Sequence, residues 1–298
     1  MDSKITKQRF SEFMSYEWIK IIALTLCGIL FWCVMFTTFE TKIKKSEEYQ
    51  IFVRTAISDE EEVSLLCDKI KERALGHDVY KISYQIIDRG STGDAQITAR
   101  FMNYEGDMIF CEYLRDAEGR FSSDSSLMSY VDNGAIYDID LLIEESIAYA
   151  DAFYENGEVS YSKVSSDFRK RYKNSTRYNT ESKIKKGIKK EVEKVEKIKT
   201  DAEKLKTYLQ TYPDLRVNYQ KNEHFNLANP DKQRELGEAK TYAINLSGLK
   251  DTTDYFQNKE QDASGIVVAP VAYKKTNGTR FYETVSALTY VIDYLRIQ

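Results

Sequence analysis

The sequence predicts an α/β protein: an N-terminal transmembrane helix, then a water-soluble domain with a mostly parallel sheet flanked by helices and a charged helical insertion. Three observations predict this fold. Residues 21–39 form an uncharged apolar run, strand and helix patterns alternate over residues 49–112, and a strand-poor, charged stretch covers residues 151–238. The expected bounds are 1–20 for a short N-terminal segment, 21–39 for the membrane helix and 46–298 for the soluble domain, where residues 49–150 and 239–298 form one lobe and 151–238 the insertion.

The apolar run Ile21–Phe39 carries no charge. At about 1.5 Å per residue it spans roughly 29 Å as a helix, close to the roughly 30 Å hydrocarbon core of a bilayer. Trp18 lies near one end, where an amphipathic ring suits the headgroup region. A cleaved signal peptide would have a shorter apolar run followed by small residues, and Met35–Thr41 offers no such site. We therefore predict a retained anchor in the membrane bilayer.

Basic residues are slightly more frequent before the run than after it, which favours a cytoplasmic N-terminus. They are Lys4, Lys7, Arg9 and Lys20 before the run and Lys42, Lys44 and Lys45 after it. The chain is 42% hydrophobic and 30% charged, which is typical of a globular protein. A net charge of −4 gives no overall basic field, so we expect no nucleic-acid partner.

The alternating patterns begin with a strand over Tyr49–Ile57, rich in β-branched and aromatic residues. Ser58 and Glu61 then form a capping box, and apolar residues follow at helical spacing. A second strand over Val79–Ile87, a helix over Asp94–Asn103 and a short strand over Gly106–Glu112 complete the pattern. Strands that alternate with helices imply parallel pairing through right-handed crossovers.

The predicted insertion contains helices over residues 140–170, with a break at Gly157, and a long amphipathic helix over Thr180–Leu209. We expect this long helix to pack on its own domain, and a partner-binding coiled coil of about four heptads is the alternative. Strands over Ala239–Ser247 and Gly265–Tyr273 and a helix over Thr279–Leu295 close the chain.

Motifs of catalysis and metal binding are missing from the sequence. Only two histidines occur, His77 and His224, and there is no phosphate-binding loop, zinc-protease motif or nucleophile elbow. The Ser-x-x-Lys match over Ser160–Lys163 has no companion motif, and Asp138 and Asp140 suit helix capping better than a cation site. We therefore predict a protein that is not an enzyme and has no cofactor and no metal.

Three stretches resemble the first lobe of the extracellular solute-binding proteins of bacterial ABC importers: Gln96–Phe110, Tyr130–Ile143 and Thr241–Leu249. The layout, including the basic stretch Arg169–Arg177, is similar to uncharacterised membrane-anchored proteins of low-GC Gram-positive bacteria that accompany sugar-importer genes. The resemblance implies a membrane-tethered accessory protein of an ABC-type importer, with an extracytoplasmic soluble domain and with carbohydrate and an ABC permease or sensor protein as partners. The chain departs from that family in lacking a second α/β lobe and a lipobox cysteine.

Ligands of parallel α/β sheets collect outside the carboxyl ends of the strands. This rule selects polar residues that follow the predicted strands, and the candidates for ligand binding are Asp88, Arg89, Glu112, Tyr113 and Tyr273. Ser58 and Asp59 follow the first strand as well, but they also suit helix capping, and Arg89 and Glu112 could equally be solvated loop charges. The alternative function is an interaction or scaffold protein that retains the lobe without binding a solute.

Overall fold

The computed structural model describes residues 7–39, 47–113, 126–222, 236–257, 264–272 and 280–296, and the chain forms two compact units that divide between Ile43 and Lys44. The first unit contains helix α1 (Lys7–Phe39), whose window Trp18–Met35 has a mean hydropathy of 2.1 and no buried residue. The sequence thus correctly predicted one helix long and apolar enough to cross a membrane. The helix begins within the segment 1–20, earlier than the apolar run.

The second unit is built on a mixed six-stranded sheet. Its order is β3 (Lys81–Ile86), β1 (Glu48–Val53), β4 (Met108–Glu112), β10 (Ile266–Pro270), β8 (Leu236–Asn245) and β7 (Arg216–Asn222). β1 pairs in parallel with both β3 and β4, as predicted. β10 pairs antiparallel with β4 and β8, and β7 pairs antiparallel with β8. Four strands therefore run in one direction, while β10 and β7 run against them.

Two short antiparallel pairs accompany the sheet. β2 (Ala56–Ile57) pairs with β9 (Phe256–Gln257), which follows the single-turn helix α8 (Thr252–Tyr255). β5 (Tyr154–Glu155) and β6 (Glu158–Val159) form a hairpin, and both residues of its turn have positive φ, 52° at Asn156 and 86° at Gly157. An Asn-Gly pair with positive φ matches the twist of such hairpins, and it accounts for the helix break predicted at Gly157.

The described residues of the second unit also form seven longer helices: α2 (Glu60–Arg73), α3 (Ser91–Met102), α4 (Leu127–Asp132), α5 (Ile139–Asp151), α6 (Tyr161–Arg171), α7 (Glu181–Thr211) and α9 (Arg280–Leu295). The cap of α2 is Asp59, whose Oδ1 accepts a hydrogen bond from the Glu61 backbone N–H at 2.8 Å. The predicted cap Ser58 is therefore wrong by one residue, because its hydroxyl instead donates to the Thr253 carbonyl at 2.7 Å.

Helix α7 packs on α5 and α9, so its apolar stripe faces its own domain. Its C-terminal half enters the main core through Ala202, Leu205 and Leu209, and its N-terminal half joins α6 in a small second core around Phe168 and Ile188. Residues 151–238 are consequently more than a helical insertion: they also supply the β5–β6 hairpin and the edge strand β7.

Candidate functional site

Arg89 and Glu112, two of the predicted strand-end residues, lie where successive strands are added to opposite sides of β1. From β1 the chain passes to β3 on one side and later to β4 on the other, so the carboxyl ends of β1 and β4 flank a topological switch point. Here the Arg89 Nη2 atom lies 2.7 Å from Glu112 Oε1 and 2.9 Å from Glu112 Oε2. The Glu112 side chain is 1% exposed and that of Arg89 is 26% exposed, so the arginine is the member of the pair that reaches solvent.

Two residues directly after β1 join this pair, although the sequence argument did not select them. Arg54 Nη2 donates to the Arg89 carbonyl at 3.0 Å and lies 2.7 Å from Asp94 Oδ1. The Thr55 hydroxyl lies 3.4 Å from Glu112 Oε1. Arg54 and Thr55 directly follow β1, which ends at Val53, so the strand-end rule would have selected them if the predicted strand had not been extended to Ile57. We call Arg54, Thr55, Arg89, Asp94 and Glu112 the strand-end cluster.

The crevice of the switch point is covered by the short strand β9. The Thr55 hydroxyl donates to the Gln257 carbonyl at 3.0 Å, and the ring of Phe256 stacks on Phe110 with centroids 4.5 Å apart. What stays open is a shallow cleft of about 340 Å³ beside the crevice. This strand-end cleft is lined by Thr55, Ala56, Ile57, Glu60, Ile86, Ile87, Asp88 and Arg89.

Of the remaining predicted site residues that the structure describes, Asp88 lines the cleft and Tyr113 does not. Asp88 lines the cleft, and its Oδ2 accepts a hydrogen bond from the Gly90 backbone N–H at 3.1 Å, so it also shapes the turn before α3. Tyr113 bonds through its backbone N–H to the Gly265 carbonyl at 2.7 Å, and its ring packs half-buried on the core. Tyr273 lies outside the described residues. Asp59 has the structural role of a helix cap.

A second polar centre is buried between α7, α9 and the segment that joins α2 to β3. The Lys194 ammonium lies 3.0 Å from Asp78, 3.1 Å from Glu283 and 3.4 Å from Glu191. Arg171 of α6 completes it at 2.6 Å from Glu191. We call these five residues the buried lysine cluster. The sequence did contain a signal for this cluster, because the charged residue Glu191 falls on the apolar stripe of α7.

Burial and charge shift the pKa values of this cluster. Burial acts to lower the pKa of Lys194, but Glu283, Asp78 and Glu191 outweigh it and raise the pKa well above its usual value. Burial raises the pKa of Glu283 to about 7, against the attraction of Lys194. A lysine held charged in this way is no nucleophile, and Lys194 and Glu283 are almost excluded from solvent. The cluster is therefore a structural clamp.

An aromatic pocket of about 230 Å³ lies between α3 and α4. Phe101 and Tyr130 meet edge to face with centroids 5.4 Å apart, and Thr98 and Asn133 add polar groups to the lining. An aromatic wall with polar edges suits a sugar ring as well as an apolar group. Among the described residues, no group of histidine, cysteine or carboxylate side chains has the arrangement of a metal site.

Comparisons of the chain with known protein families, with curated proteins and with solved structures found no match.

Proposed function

We propose that the protein is a membrane-tethered accessory protein of an ABC-type importer, whose extracytoplasmic α/β domain binds a small polar solute, a carbohydrate, in the strand-end cleft. The observation that carries the proposal is the strand-end cluster at the switch point. Helix α1, long and apolar enough to span a bilayer, supports the tether.

Arg89 is the residue through which the cleft would bind a hydroxyl-rich ligand. Its hydrogen bonds to Glu112 come from Nη2 alone, and the side chain lines the cleft. A guanidinium has five N–H donors in a fixed planar arrangement. An arginine that bonds to a carboxylate through one nitrogen therefore still has N–H groups that can bind a ligand. Asp88 and Glu60, on the same lining, supply acceptors for hydroxyl groups.

The test is thermal unfolding of the full chain in detergent, followed by circular dichroism, against a panel of oligosaccharides. A ligand at about 100 times its Kd adds roughly 2.7 kcal/mol to the free energy of unfolding, which raises Tm by about 5–10 °C for a domain of this size. Ile86→Trp fills the cleft from an exposed position and should abolish the shift, whereas Thr98→Trp fills the aromatic pocket and should preserve it. The reverse pattern would place the ligand in the aromatic pocket and overturn the assignment to the cleft.

The second candidate function is an interaction or scaffold protein that keeps the lobe without a solute. The observation that favours it is the covered crevice: β9 occupies the switch point, and Arg89 already neutralises the Glu112 carboxylate. If no sugar shifts Tm and a permease or sensor protein co-purifies with the full chain, the scaffold function stands and solute binding fails.

The extracytoplasmic side of the proposal has its own test. Protease treatment of intact cells should remove the soluble domain and leave α1 in the membrane. Full protection of the domain, with cleavage before α1, would place the domain in the cytoplasm.

A further inference from the structure

The stretch 169–190 is far more basic than the chain around it. Ten of its 22 residues are lysine or arginine and one, Glu181, is acidic, although the whole chain has a net charge of −4. Arg169, Arg171 and Arg177 pair with carboxylates, and Lys183 bonds to an asparagine side chain. Six lysines form no hydrogen bond or salt bridge among the described residues and are exposed: Lys170, Lys173, Lys185, Lys186, Lys189 and Lys190. We call these six the basic surface.

The lysines of α7 in the basic surface point away from the core. Residues three and four apart share a helix face, and the inward face here carries Ile184, Gly187 and Ile188. The four lysines from Lys185 to Lys190 therefore fall on the opposite face. No exposed acidic residue interrupts them, since the next one along α7 is Glu193.

The residues beneath the basic surface are closely packed. A Cβ on Gly187 would lie 2.4 Å from Phe168 Cζ and 2.8 Å from Tyr178 Cε1, so α6, α7 and the chain between them are in close contact. The ring of His77 also stacks on the ring of Phe168, with centroids 6.2 Å apart. Five of the six lysines thus lie on the packed helices α6 and α7, and Lys173 lies in the turn that follows α6.

The basic surface is also close in the fold to the residue where the chain enters the soluble domain. Glu47 lies 3.0 Å from Arg177, whose neighbour Tyr178 touches Gly187. Glu47 follows Phe39, the last residue of α1, by eight positions. At about 3.6 Å per residue these positions reach at most roughly 29 Å, a bound that holds whatever the orientation of the domain.

From the charge and this short tether we infer that the basic surface binds the anionic phospholipid headgroups of the bilayer that holds α1. Clusters of four to eight basic residues next to a membrane helix attract anionic lipids, because each charge near the surface adds to the attraction. Nucleic acid would also bind the same charges. We favour lipid headgroups because the short tether keeps the soluble domain close to the bilayer at all times. The inference depends on the membrane anchor of the proposed function and is independent of solute binding.

The experiment uses the full chain in nanodiscs of phosphatidylcholine, alone or with about one third phosphatidylglycerol. Lysines are acetylated for a short time and quantified by mass spectrometry. In anionic discs the reaction at the six lysines of the basic surface should slow about fivefold, the factor that roughly 1 kcal/mol per basic residue corresponds to. Lys206, exposed and about 24 Å further along α7, is the internal control and should react equally in both discs. At about 1 M salt, where the Debye length is about 3 Å, the protection should vanish.

Two variants test whether the six lysines bind the bilayer as one surface. With Lys185, Lys186, Lys189 and Lys190 all changed to glutamine, Lys170 and Lys173 should lose their protection in anionic discs, while Lys206→Gln should leave it intact; unchanged circular dichroism confirms folding. Equal labelling in both discs, or protection that requires co-purified nucleic acid and disappears with nuclease, would overturn the inference. A chain that does not enter discs would refute the anchor instead, whereas lysine protection without any sugar-induced Tm shift would refute solute binding alone.

Discussion

The Lys194 ammonium lies 3.1 Å from the Glu283 carboxylate, with side chains 2% and 1% exposed, and this pair joins α7 to α9 inside the domain. The other Glu283 oxygen accepts a hydrogen bond from the Gly76 backbone N–H, which adds the segment between α2 and β3 to the same contact. One buried lysine therefore holds three elements that are distant in sequence. Such a centre stabilises only while every charge in it has its partner.

Lys194→Met should destabilise the protein strongly. Methionine fills similar space, but it leaves Asp78, Glu191 and Glu283 without their common cation, and removing one partner of a buried ion pair costs about 3–5 kcal/mol. Urea unfolding followed by circular dichroism measures the loss. The matched control is Lys197→Met, one turn further on α7, whose pair with Asp201 is 39% exposed at the lysine and should cost less than about 1 kcal/mol. Equal losses in the two variants would show that the cluster does not hold α7.

Glu283→Gln should change how stability depends on pH. Burial raises the pKa of Glu283 from its usual 4.5 to about 7, so the folded protein binds more protons than the unfolded chain within that window. Its contribution to stability is complete below pH 4.5 and is lost as the pH rises through about 7. Glutamine does not titrate, so the free energy of unfolding of the variant, minus that of the wild type, should rise by up to roughly 3 kcal/mol over this range.

The difference between variant and wild type is the informative quantity, because His77 acts in the opposite direction. Burial lowers the pKa of His77, so its contribution is present above pH 6.5 and is lost as the pH falls. The two groups oppose each other in the wild type, but His77 is common to both proteins and cancels in the difference. Urea unfolding at a series of pH values gives the curve, and a difference independent of pH would contradict the shift.

Gly187→Ala should destabilise the contact between α6 and α7. In an open helix alanine is better than glycine by about 1 kcal/mol, but here the new Cβ would overlap the rings of Phe168 and Tyr178. Phe168 is fully buried and cannot move aside, so we expect a net loss of about 1–2 kcal/mol in urea unfolding. Gly248→Ala, where no atom lies within 4 Å of the new Cβ, should change stability by less than about 0.5 kcal/mol. A stabilised Gly187→Ala protein would show that the packing has room to relax.

Periodicity was enough to predict the parallel half of the sheet and the long helix. Over Tyr49–Ile57 and Gly106–Glu112, β-branched and aromatic residues identified β1 and β4, and the stripe of α7 predicted its inward face. The rule for parallel sheets then brought Arg89 and Glu112 to one edge, where the structure pairs them. Local pattern and topology agreed in this part of the chain.

The antiparallel half could not be predicted in this way. Strand β7 alternates buried Val217 and Tyr219 with polar residues. It was not predicted because it contains few β-branched residues and directly follows a charged helix. The direction of β10 depends on pairing with a distant strand, which no local pattern encodes. The pairing of Lys194 was hidden for a similar reason: in a helix rich in lysine and glutamate, composition does not show which lysine turns inward.

Arg89→Gln should cost more stability than Glu112→Gln, although both break the same ion pair. The arginine variant leaves the 1% exposed Glu112 carboxylate with the Thr55 hydroxyl as its remaining side-chain partner among the described residues, at a cost of roughly 2–3 kcal/mol, whereas the glutamate variant leaves a guanidinium that reaches solvent. The double variant should recover much of the loss, because neither charge then remains unpaired. Urea unfolding of all four proteins completes a double-mutant cycle. Its interaction energy should lie well above the less than about 1 kcal/mol expected for the Arg100–Glu105 pair, whose arginine is 42% exposed. Additive single losses would mean that Glu112 is stabilised by something other than Arg89, and the strand-end cluster would lose its central contact.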